Sequence, residues 1–512
     1  MKTDLHFLKT TFNKTKRITK DFTTREKKVI SGLAGAILIS ALILIFQGNI
    51  GSQPRFGGSF TEGIIGSPRY INPVLSANND PDMDVVELIF ASLIKDLTKK
   101  YELSDDKKTY TLTLKDDILW HDGKPVTAQD VLFTIQTIQD PAFQSPLRFN
   151  FQGVGIEKID DSTIKFSLKD VYAPFATTLD IGILPEHVWR DVEATGFALA
   201  EANIQPVGNG HYKLKKLSKE KNGFVTSIQL EALSPNETYI KDIELKFYPN
   251  EDRLIEAFKN KQIDNISYIN PENVLEVENN KNTRILSLNI PRYFALFFNT
   301  DKIKKKSERQ ILAGAIDREL IIKEVLNGYG KLFGKNYKRL ETDPLDLELN
   351  LVTADLPELK KTALLIKSQW EALGAKVNIE IVPGEDIQQE IIRQRDYDVL
   401  LFGEVLGIDP DPFAFWHSSQ KKYPGLNLSL YDSTKADRLL VEARQEFNDT
   451  SRARIYNEFY DTLQEDVPAV FLYNPDYTYG LSGKIKGAKF NDIGLPSKRF
   501  SDIEDWFIKT TR

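Results

Sequence analysis

The stretch from Leu345 to Phe402 constrains the fold of this chain more than any other part of the sequence. The leucines from Leu345 to Leu351 alternate with polar residues, and this two-residue period predicts a strand. Residues 358–373 carry apolar side chains on one helical stripe that ends at Gly374, and residues 377–382 predict the next strand. This order predicts a β-α-β unit within a mostly parallel sheet, extended by a helix over 385–394.

The last strand of this stretch, Val399 to Phe402, runs into an unusual loop. The loop carries Glu404, Asp409 and Asp411, two prolines and an aromatic cluster. Ligands of open α/β sheets bind beyond the carboxyl ends of the strands, so the loop is a candidate ligand site. The alternative is a structural loop whose Asp-Pro pairs only set turns.

The size and charge of the chain limit its architecture and partners. Its 512 residues are enough for two or three domains. The net charge of −6 divides into +6 for residues 1–28 and −12 for the remainder. Because phosphate binding needs a basic face, the acidic body argues against nucleic acid as a partner.

Cysteine and histidine are too few for several kinds of chemistry. The sequence has no cysteine, which excludes disulfides and a thiol nucleophile, and its five histidines show no metal-ligand spacing on a helix. The pattern Gly208-Asn209-Gly210 lacks the further glycine and the following helix of a phosphate-binding loop. We expect no catalytic residue, no metal site and no cofactor.

An uncharged run from Val29 to Phe46 predicts one transmembrane helix. Eighteen residues span roughly 27 Å, close to the thickness of a bilayer core. The basic residues before it place residues 1–28 in the cytoplasm and the body outside the cell membrane. The alternative is a cleaved signal peptide, whose apolar core is normally shorter. A flexible linker over 47–56 follows.

Residues 110–134 carry the clearest local patterns. Tyr110, Leu112 and Leu114 alternate with polar residues as in a strand, and Thr127 with Asp130 predicts a capped helix from Ala128 to about Gln139. His121 and Asp122 would be an acid–base pair in a functional interpretation. Adjacent strand residues point to opposite faces, so a turn beside a packed Trp120 is the preferred interpretation.

Six stretches together resemble the family 5 extracellular solute-binding proteins, the oligopeptide, dipeptide and nickel receptors of ABC importers. In order they are YTLTLKDDILWHDGKPVTAQDVLFT, PVGNGHYKL, IPRYFALFFNT, RQILAGAIDRELIIKEVLNG, KSQWEALGAKVNIE and YDVLLFGEVLGIDPDPFAFWHSSQ. The resemblance covers roughly residues 57–500. Two segments are shorter than is usual in the family, the one between Ile94 and Tyr110 and the one after Gly330.

The resemblance implies an α/β, two-lobed, hinged periplasmic-binding-protein-like fold of type II with an extra inserted domain, preceded here by the transmembrane helix. Lobe one would be discontinuous, over 57–88, 206–284 and 477–512. The inserted second domain would be 89–205, and lobe two 285–476. We expect a monomer that closes on a peptide or other small solute and then meets the permease subunits of an importer.

The resemblance also implies candidate ligand-binding residues. In peptide-binding members an aspartate after the Tyr-Asp strand holds the ligand's α-ammonium, and the closest match here is Asp409, with Glu404 as a second candidate. The remaining candidates are Arg292, Tyr293 and Arg393 for a carboxylate terminus and Trp416 from the aromatic part of the same loop.

Three other functions stay open at this point. The same fold could serve a surface sensor or scaffold that feeds no transporter, as the basic tail and shortened segments suggest. It could bind a metal chelate or another small solute instead of a peptide. A hydrolase using Glu404 and Asp409 would need two carboxylates with separated pKa values across a substrate, and the sequence shows no such arrangement.

Overall fold

The computed structural model describes residues 23–26, 28–29, 32–33, 53–280, 282–384, 386–407, 409, 411–490 and 493–511. The predicted transmembrane helix over 29–46 therefore lies, apart from Val29, Gly32 and Leu33, outside the described residues. Within the described ranges, every helix is too short or too polar to cross a bilayer.

Strands and helices alternate along most of the described chain. The strands are β1 (Gln53–Arg55), β2 (Ser59–Ile65), β3 (Thr98–Leu103), β4 (Thr109–Leu114), β5 (Gly155–Lys158), β6 (Thr163–Ser167), β7 (Tyr212–Lys219), β8 (Val225–Ala232), β9 (Asp242–Tyr248), β10 (Asn265–Ile266), β11 (Thr283–Leu288), β12 (Arg292–Phe298), β13 (Gly330–Leu332), β14 (Glu348–Ala354), β15 (Lys376–Val382), β16 (Val399–Val405), β17 (Ala469–Pro475), β18 (Tyr477–Ser482) and β19 (Lys509–Thr511). The helices are α1 (Asp80–Ile89), α2 (Ala128–Gln139), α3 (Arg148–Phe151), α4 (Phe175–Thr178), α5 (Glu186–Trp189), α6 (Ala194–Phe197), α7 (Glu251–Lys259), α8 (Val274–Glu278), α9 (Lys306–Gly314), α10 (Arg318–Leu326), α11 (Pro357–Glu371), α12 (Phe413–Trp416), α13 (Thr434–Gln445) and α14 (Asp449–Asp466).

The chain divides into two compact units. The first comprises residues 1–55 and 509–512, and in it β1 pairs antiparallel with β19. The second comprises residues 56–508 and contains the other three sheets.

A seven-stranded sheet is built from distant parts of the second unit. Its strand order is β11-β18-β10-β2-β9-β8-β7, and β2 pairs parallel with both β9 and β10 while the other pairs are antiparallel. Alternate residues of β9 are buried, as expected for a strand with one face on the core. Its central strand, β2, thus needs partners from residues 242–266 of the chain.

A six-stranded sheet contains the predicted β-α-β unit. Its order is β13-β17-β12-β16-β14-β15, and β14 pairs parallel with both β15 and β16. Helix α11 connects β14 to β15 and buries Leu359, Ile366 and Trp370. The predicted strand–helix–strand order and its parallel pairing are confirmed, and β12 adds antiparallel pairing next to β16.

A four-stranded antiparallel sheet of order β3-β4-β6-β5 lies in residues 98–167. The predicted alternating strand β4 and helix α2 are both present, and Thr127 with Asp130 forms the predicted capping box. Trp120 is buried, and His121 Nε2 lies 3.0 Å from the Gly210 carbonyl oxygen. His121 and Asp122 bond to different partners, because Asp122 Oδ2 lies 2.8 Å from His187 Nε2.

The seven- and six-stranded sheets are joined by two neighbouring chain crossings. One runs from the end of β11 to the start of β12, and the other from Pro475 in β17 to Tyr477 in β18. Asn474 Nδ2 ties the crossings together by donating to Asn289 Oδ1 at 3.1 Å and to the Ile290 carbonyl at 3.2 Å.

The helices of the structure differ from the sequence predictions in two places. The helix predicted over 385–394 is a π-type turn at Ile387–Ile392. Helix α13 was not predicted, although Ser433 caps it by accepting from the Ala436 backbone N–H.

Candidate ligand-binding cleft

A cavity of about 630 Å³ lies where the seven- and six-stranded sheets meet. From the first sheet it is lined by the end of β2, the start of α1, the residues after β10, and Tyr477. From the second it is lined by Arg292 and Phe294 of β12, the start of α11, and Tyr473. The cavity thus lies beside the two crossings, with walls from both sheets.

Each wall of the cleft carries a pair of aromatic rings. The rings of Tyr268 and Tyr477 lie 5.5 Å apart on the side of the seven-stranded sheet. The rings of Phe294 and Tyr473 lie 5.5 Å apart on the other side. Gly403 leaves room for Phe294, since a Cβ there would lie 2.8 Å from that ring. The two pairs give the cleft broad apolar surfaces that suit flat or extended ligands.

Arg292 is the cationic residue of the cleft lining. It is half-buried, and one Nη donates to the Pro475 carbonyl at 3.3 Å. Its Nε is buried and has no hydrogen-bond partner among the described residues. A guanidinium with a free donor is suited to bind a carboxylate.

Two carboxylates enter the cleft at helix starts. Asp80 is the first residue of α1, and Glu358 is the second residue of α11. Loss of water around Asp80 raises the pKa of its carboxyl above 3.8, the nearby Asp84 carboxylate adds to the rise, and Arg499 and Arg292 oppose it. The cleft therefore presents negative groups on both walls and one positive group.

A buried ionic network supports the α1 wall from behind. Arg499 is bidentate to Asp84, with Nη1 2.6 Å from Oδ1 and Nη2 2.7 Å from Oδ2. Its Nε donates to Glu62 Oε1 at 3.0 Å. Three residues further along α1, Glu87 lies 3.1 Å from Lys498 Nζ, which is also 3.0 Å from Asp180. Consecutive basic residues thus hold α1 through two of its acidic side chains.

Of the six ligand-binding candidates, Arg292 lines this cleft. Neighbouring strand residues face opposite sides of a sheet, and Tyr293 and its cross-strand partner Glu404 point into the core instead. There Trp416 Nε1 donates to Tyr293 Oη at 3.1 Å, and Tyr293 Oη donates to Glu404 Oε2. These three predicted residues form a buried chain of hydrogen bonds and are not part of the cavity wall.

The other two candidates lie outside the cleft lining as well. Asp409 Oδ2 is 3.3 Å from Arg452 Nη2, and both side chains are largely buried. Arg393 is exposed, with its guanidinium 5.6 Å from the centre of the Tyr423 ring. A ligand role for either residue stays a prediction.

The sequence analysis missed most of the cleft wall, including Asp80, Tyr268, Glu358 and Tyr473. One signal was available, because Glu358 follows β14 and parallel strands place their carboxyl ends at one edge of the sheet. Applying that rule to β14 as well as to β16 would have found it. Tyr268 and Tyr473 lie 205 residues apart, and no local pattern joins them.

The described residues hold no group of three or more His, Asp or Glu side chains placed to bind a metal ion.

Residues 92–334 match the model of the bacterial extracellular solute-binding proteins, family 5 (middle). The chain is 24% identical to the oligopeptide-binding protein AppA of Bacillus subtilis over 89% of its own length and 92% of that protein. The solved structure of the ABC transporter substrate-binding protein CtaP from Listeria monocytogenes superimposes with a TM-score of 0.77, at 24% identity, over 89% of this chain and 100% of that one.

A third protein resembles this chain to a similar extent. The structure of NikZ from Campylobacter jejuni in complex with Ni(L-His) has a TM-score of 0.71 at 25% identity and covers 88% of this chain and 99% of that one. The fold is thus the α/β fold of periplasmic binding proteins. Residues 92–334 thus match the family 5 bacterial extracellular solute-binding proteins, whose members are binding proteins of ABC importers and not enzymes.

Proposed function

We propose that this protein captures a peptide in the cleft between its seven- and six-stranded sheets and delivers it to an ABC importer. One observation carries the proposal: the cleft combines aromatic walls with Arg292 and with two carboxylates, Asp80 and Glu358. The match to an oligopeptide-binding protein over most of both chains supports it.

The charges of the cleft complement the two ends of a peptide. A terminal carboxylate taken out of water needs a cationic donor, and Arg292 has a free Nε. A terminal ammonium needs a carboxylate partner, and the side chains of Asp80 and Glu358 line the two walls. The aromatic pairs cover apolar side chains and exclude water from the backbone hydrogen bonds.

Binding is coupled to closure of two lobes about the crossings. Lobe one comprises 57–88, 206–284 and 477–512, the inserted domain 89–205, and lobe two 285–476. The distribution of the strands over three sheets supports this division. A ligand favours the closed form only by binding it better than the open form, and closure then presents a new surface to the permease.

The apolar run of residues 29–46 anchors the protein as a monomer in the cell membrane, with residues 1–28 in the cytoplasm. Its length and its basic flank support this arrangement. Membrane fractionation of the chain with and without residues 1–46 tests it. A chain that stays membrane-bound after the deletion would contradict the anchor.

The main test identifies the bound solute. The protein is purified, gently denatured, and the released molecules are analysed by mass spectrometry. We expect short peptides that are lost from Arg292→Met and kept by Arg393→Met, a matched arginine that does not line the cleft. A wild-type cleft that yields no peptide and binds none in calorimetric titration would contradict the proposal.

A metal chelate is the second candidate ligand. The similarity to the NikZ structure with its bound Ni(L-His) favours it, since that complex carries an amino acid on the metal. The same extraction distinguishes the two, because nickel with free histidine in place of peptides would keep the receptor function and change the solute.

A further inference from the structure

The residues that follow β16 contact a part of the chain that belongs to neither large sheet. Tyr172 lies between β6 and α4, and its Oη donates to Asp411 Oδ2 at 3.2 Å. Arg444 at the end of α13 donates to the same carboxylate oxygen from Nε at 2.8 Å, with Nη2 also at 2.8 Å. The backbone N–H of Ala173 donates to the Arg444 carbonyl at 2.7 Å.

The contacts of Tyr172 and Ala173 with Asp411 and Arg444 form a joint between two regions of the chain, and ring contacts add to it. The guanidinium of Arg444 lies 3.7 Å from the centre of the Phe413 ring and 5.3 Å from that of Tyr172. A second contact joins the same two regions, because Lys107 Nζ lies 4.9 Å from the centre of the Phe447 ring. The joint therefore consists of several contacts between the two regions and not of one hydrogen bond.

The two aspartates after β16 are already neutralised by the protein. Asp411 Oδ1 accepts from the Phe413 backbone N–H at 3.1 Å, so both of its oxygens have partners. Asp409 is ion-paired with Arg452 at 3.3 Å, and both side chains are at most 16% exposed. A ligand ammonium at Asp411 would have to displace Arg444 and leave that cation without its carboxylate partner, whereas Arg452 also pairs with Asp449 at 2.9 Å.

The joint spans the cleft by a route separate from the two crossings. Helix α13, which carries Arg444, packs with the six-stranded sheet, and residues 98–205 share one apolar core with the seven-stranded sheet. The backbone N–H of His121, for example, donates to the Gly208 carbonyl at 2.8 Å. Opening the two sheets about their crossings therefore breaks the Tyr172 contact.

We propose that Tyr172, Asp411 and Arg444 form a clasp that holds the closed protein shut, and that Asp411 serves this joint instead of binding a ligand ammonium. Its effect on a bound peptide rests on the proposed function. The clasp slows the escape of solute, because the cleft opens only after the clasp has separated.

The first test needs no ligand. The chain has no cysteine, so two introduced at exposed sites, Asp191→Cys and Lys422→Cys, accept spin labels without side reactions. We expect Tyr172→Phe and Asp411→Asn to shift the label-to-label distances of the full chain toward an open population. Tyr101→Phe, an exposed tyrosine of the same region, is the matched control and leaves the distances unchanged. Identical distributions in all variants would overturn the clasp.

The second test separates the clasp from an ammonium site. Binding of trialanine and of N-acetyltrialanine is followed by calorimetry and stopped-flow fluorescence. For the clasp, Tyr172→Phe and Asp411→Asn speed dissociation of both peptides by the same factor, between about two- and tenfold for one lost hydrogen bond. A loss confined to trialanine in Asp411→Asn would instead identify Asp411 as the ammonium partner and overturn the proposal.

The two proposals fail in different ways. A wild-type protein that binds neither peptide contradicts peptide capture, while the label distances still decide whether the clasp exists. A protein that binds peptides but whose variants neither open nor release faster contradicts the clasp alone.

Discussion

Two buried glutamates occupy corresponding places in the two large sheets and differ in what surrounds them. Glu62 lies on β2 and Glu404 on β16, each an interior strand, and each accepts a hydrogen bond from a tyrosine. Glu62 also accepts from Arg499 and Asn265, whereas Glu404 Oε1 has no partner among the described residues.

The surroundings decide the charge of each carboxyl. Burial raises the pKa of Glu62, but Arg499, Tyr479 and Asn265 all donate to it and oppose the rise. Glu62 accepts from three donors, one of them the Arg499 guanidinium, so the geometry fits the ionised form. Burial raises the pKa of Glu404 to about 8, opposed only by Tyr293. A buried carboxyl stays charged where donors surround it and takes a proton where they do not.

Removing Arg499, the cation beside Glu62, should have the largest effect on stability. Arg499→Met leaves Glu62 and Asp84 buried without their cation, and we expect a loss of about 5 kcal/mol in the free energy of unfolding. Urea denaturation measures it. Arg253→Met, whose exposed side chain pairs only with Glu256, is the control and should change little. A loss as small as that of the control would show that the network contributes no stability.

Glu404, unlike Glu62, should make the stability of the folded protein fall as pH rises. Below pH 4.5 its carboxyl is protonated in both the folded and the unfolded chain. Between 4.5 and about 8 the folded protein holds a proton that the unfolded chain releases, so stability falls as pH rises, and the fall ends above 8. This group contributes a decrease of about 3 to 4 kcal/mol from pH 5 to pH 8.

Denaturation at the two pH values tests this decrease. Glu404→Gln cannot lose a proton, so its unfolding free energy should fall less between pH 5 and pH 8 than that of the wild type. Glu442→Gln, at an exposed position, should keep the wild-type dependence. Parallel pH curves for the wild type and Glu404→Gln would show that Glu404 is ionised in the folded protein.

The smallest effect concerns the two tyrosines. Each change to Phe removes the bond that the tyrosine donates to its glutamate and the bond that it accepts, from Asn265 Nδ2 at Tyr479 and from Trp416 Nε1 at Tyr293. At pH 6 Tyr479→Phe should cost about 1 kcal/mol more than Tyr293→Phe, because its acceptor is charged and that of Tyr293 is neutral. Urea denaturation of both variants at pH 6 gives the difference. Equal costs would indicate that the two carboxyls have the same charge.

The sequence predicted those parts of the fold that depend on neighbouring residues. The alternation before Leu351, the helix ending at Gly374 and the Thr127–Asp130 box are local patterns, and each corresponds to an element of the structure. The cleft and the buried networks depend on residues far apart along the chain. Glu62 and Arg499 are 437 residues apart, and no periodicity or turn rule pairs them.

The site predictions illustrate the same limit. The strand ending at Val405 was predicted closely, but a shift of one residue along a strand exchanges the cleft face for the core face. Arg292 therefore reaches the cleft while its neighbour Tyr293 does not. The loop after β16 was identified as acidic, but the arginines of α13 and α14 that neutralise it cannot be inferred from the loop itself.

The strand order also fixes when each sheet can form during synthesis. All strands of the six-stranded sheet lie between Arg292 and Pro475, so that sheet can assemble as soon as this continuous stretch is available. The seven-stranded sheet begins with β2 but lacks β18 and Arg499 until the ribosome has passed both. Glu62 and the apolar face of β2 therefore lack these partners during most of translation. The early half of the chain is the part that needs protection from aggregation.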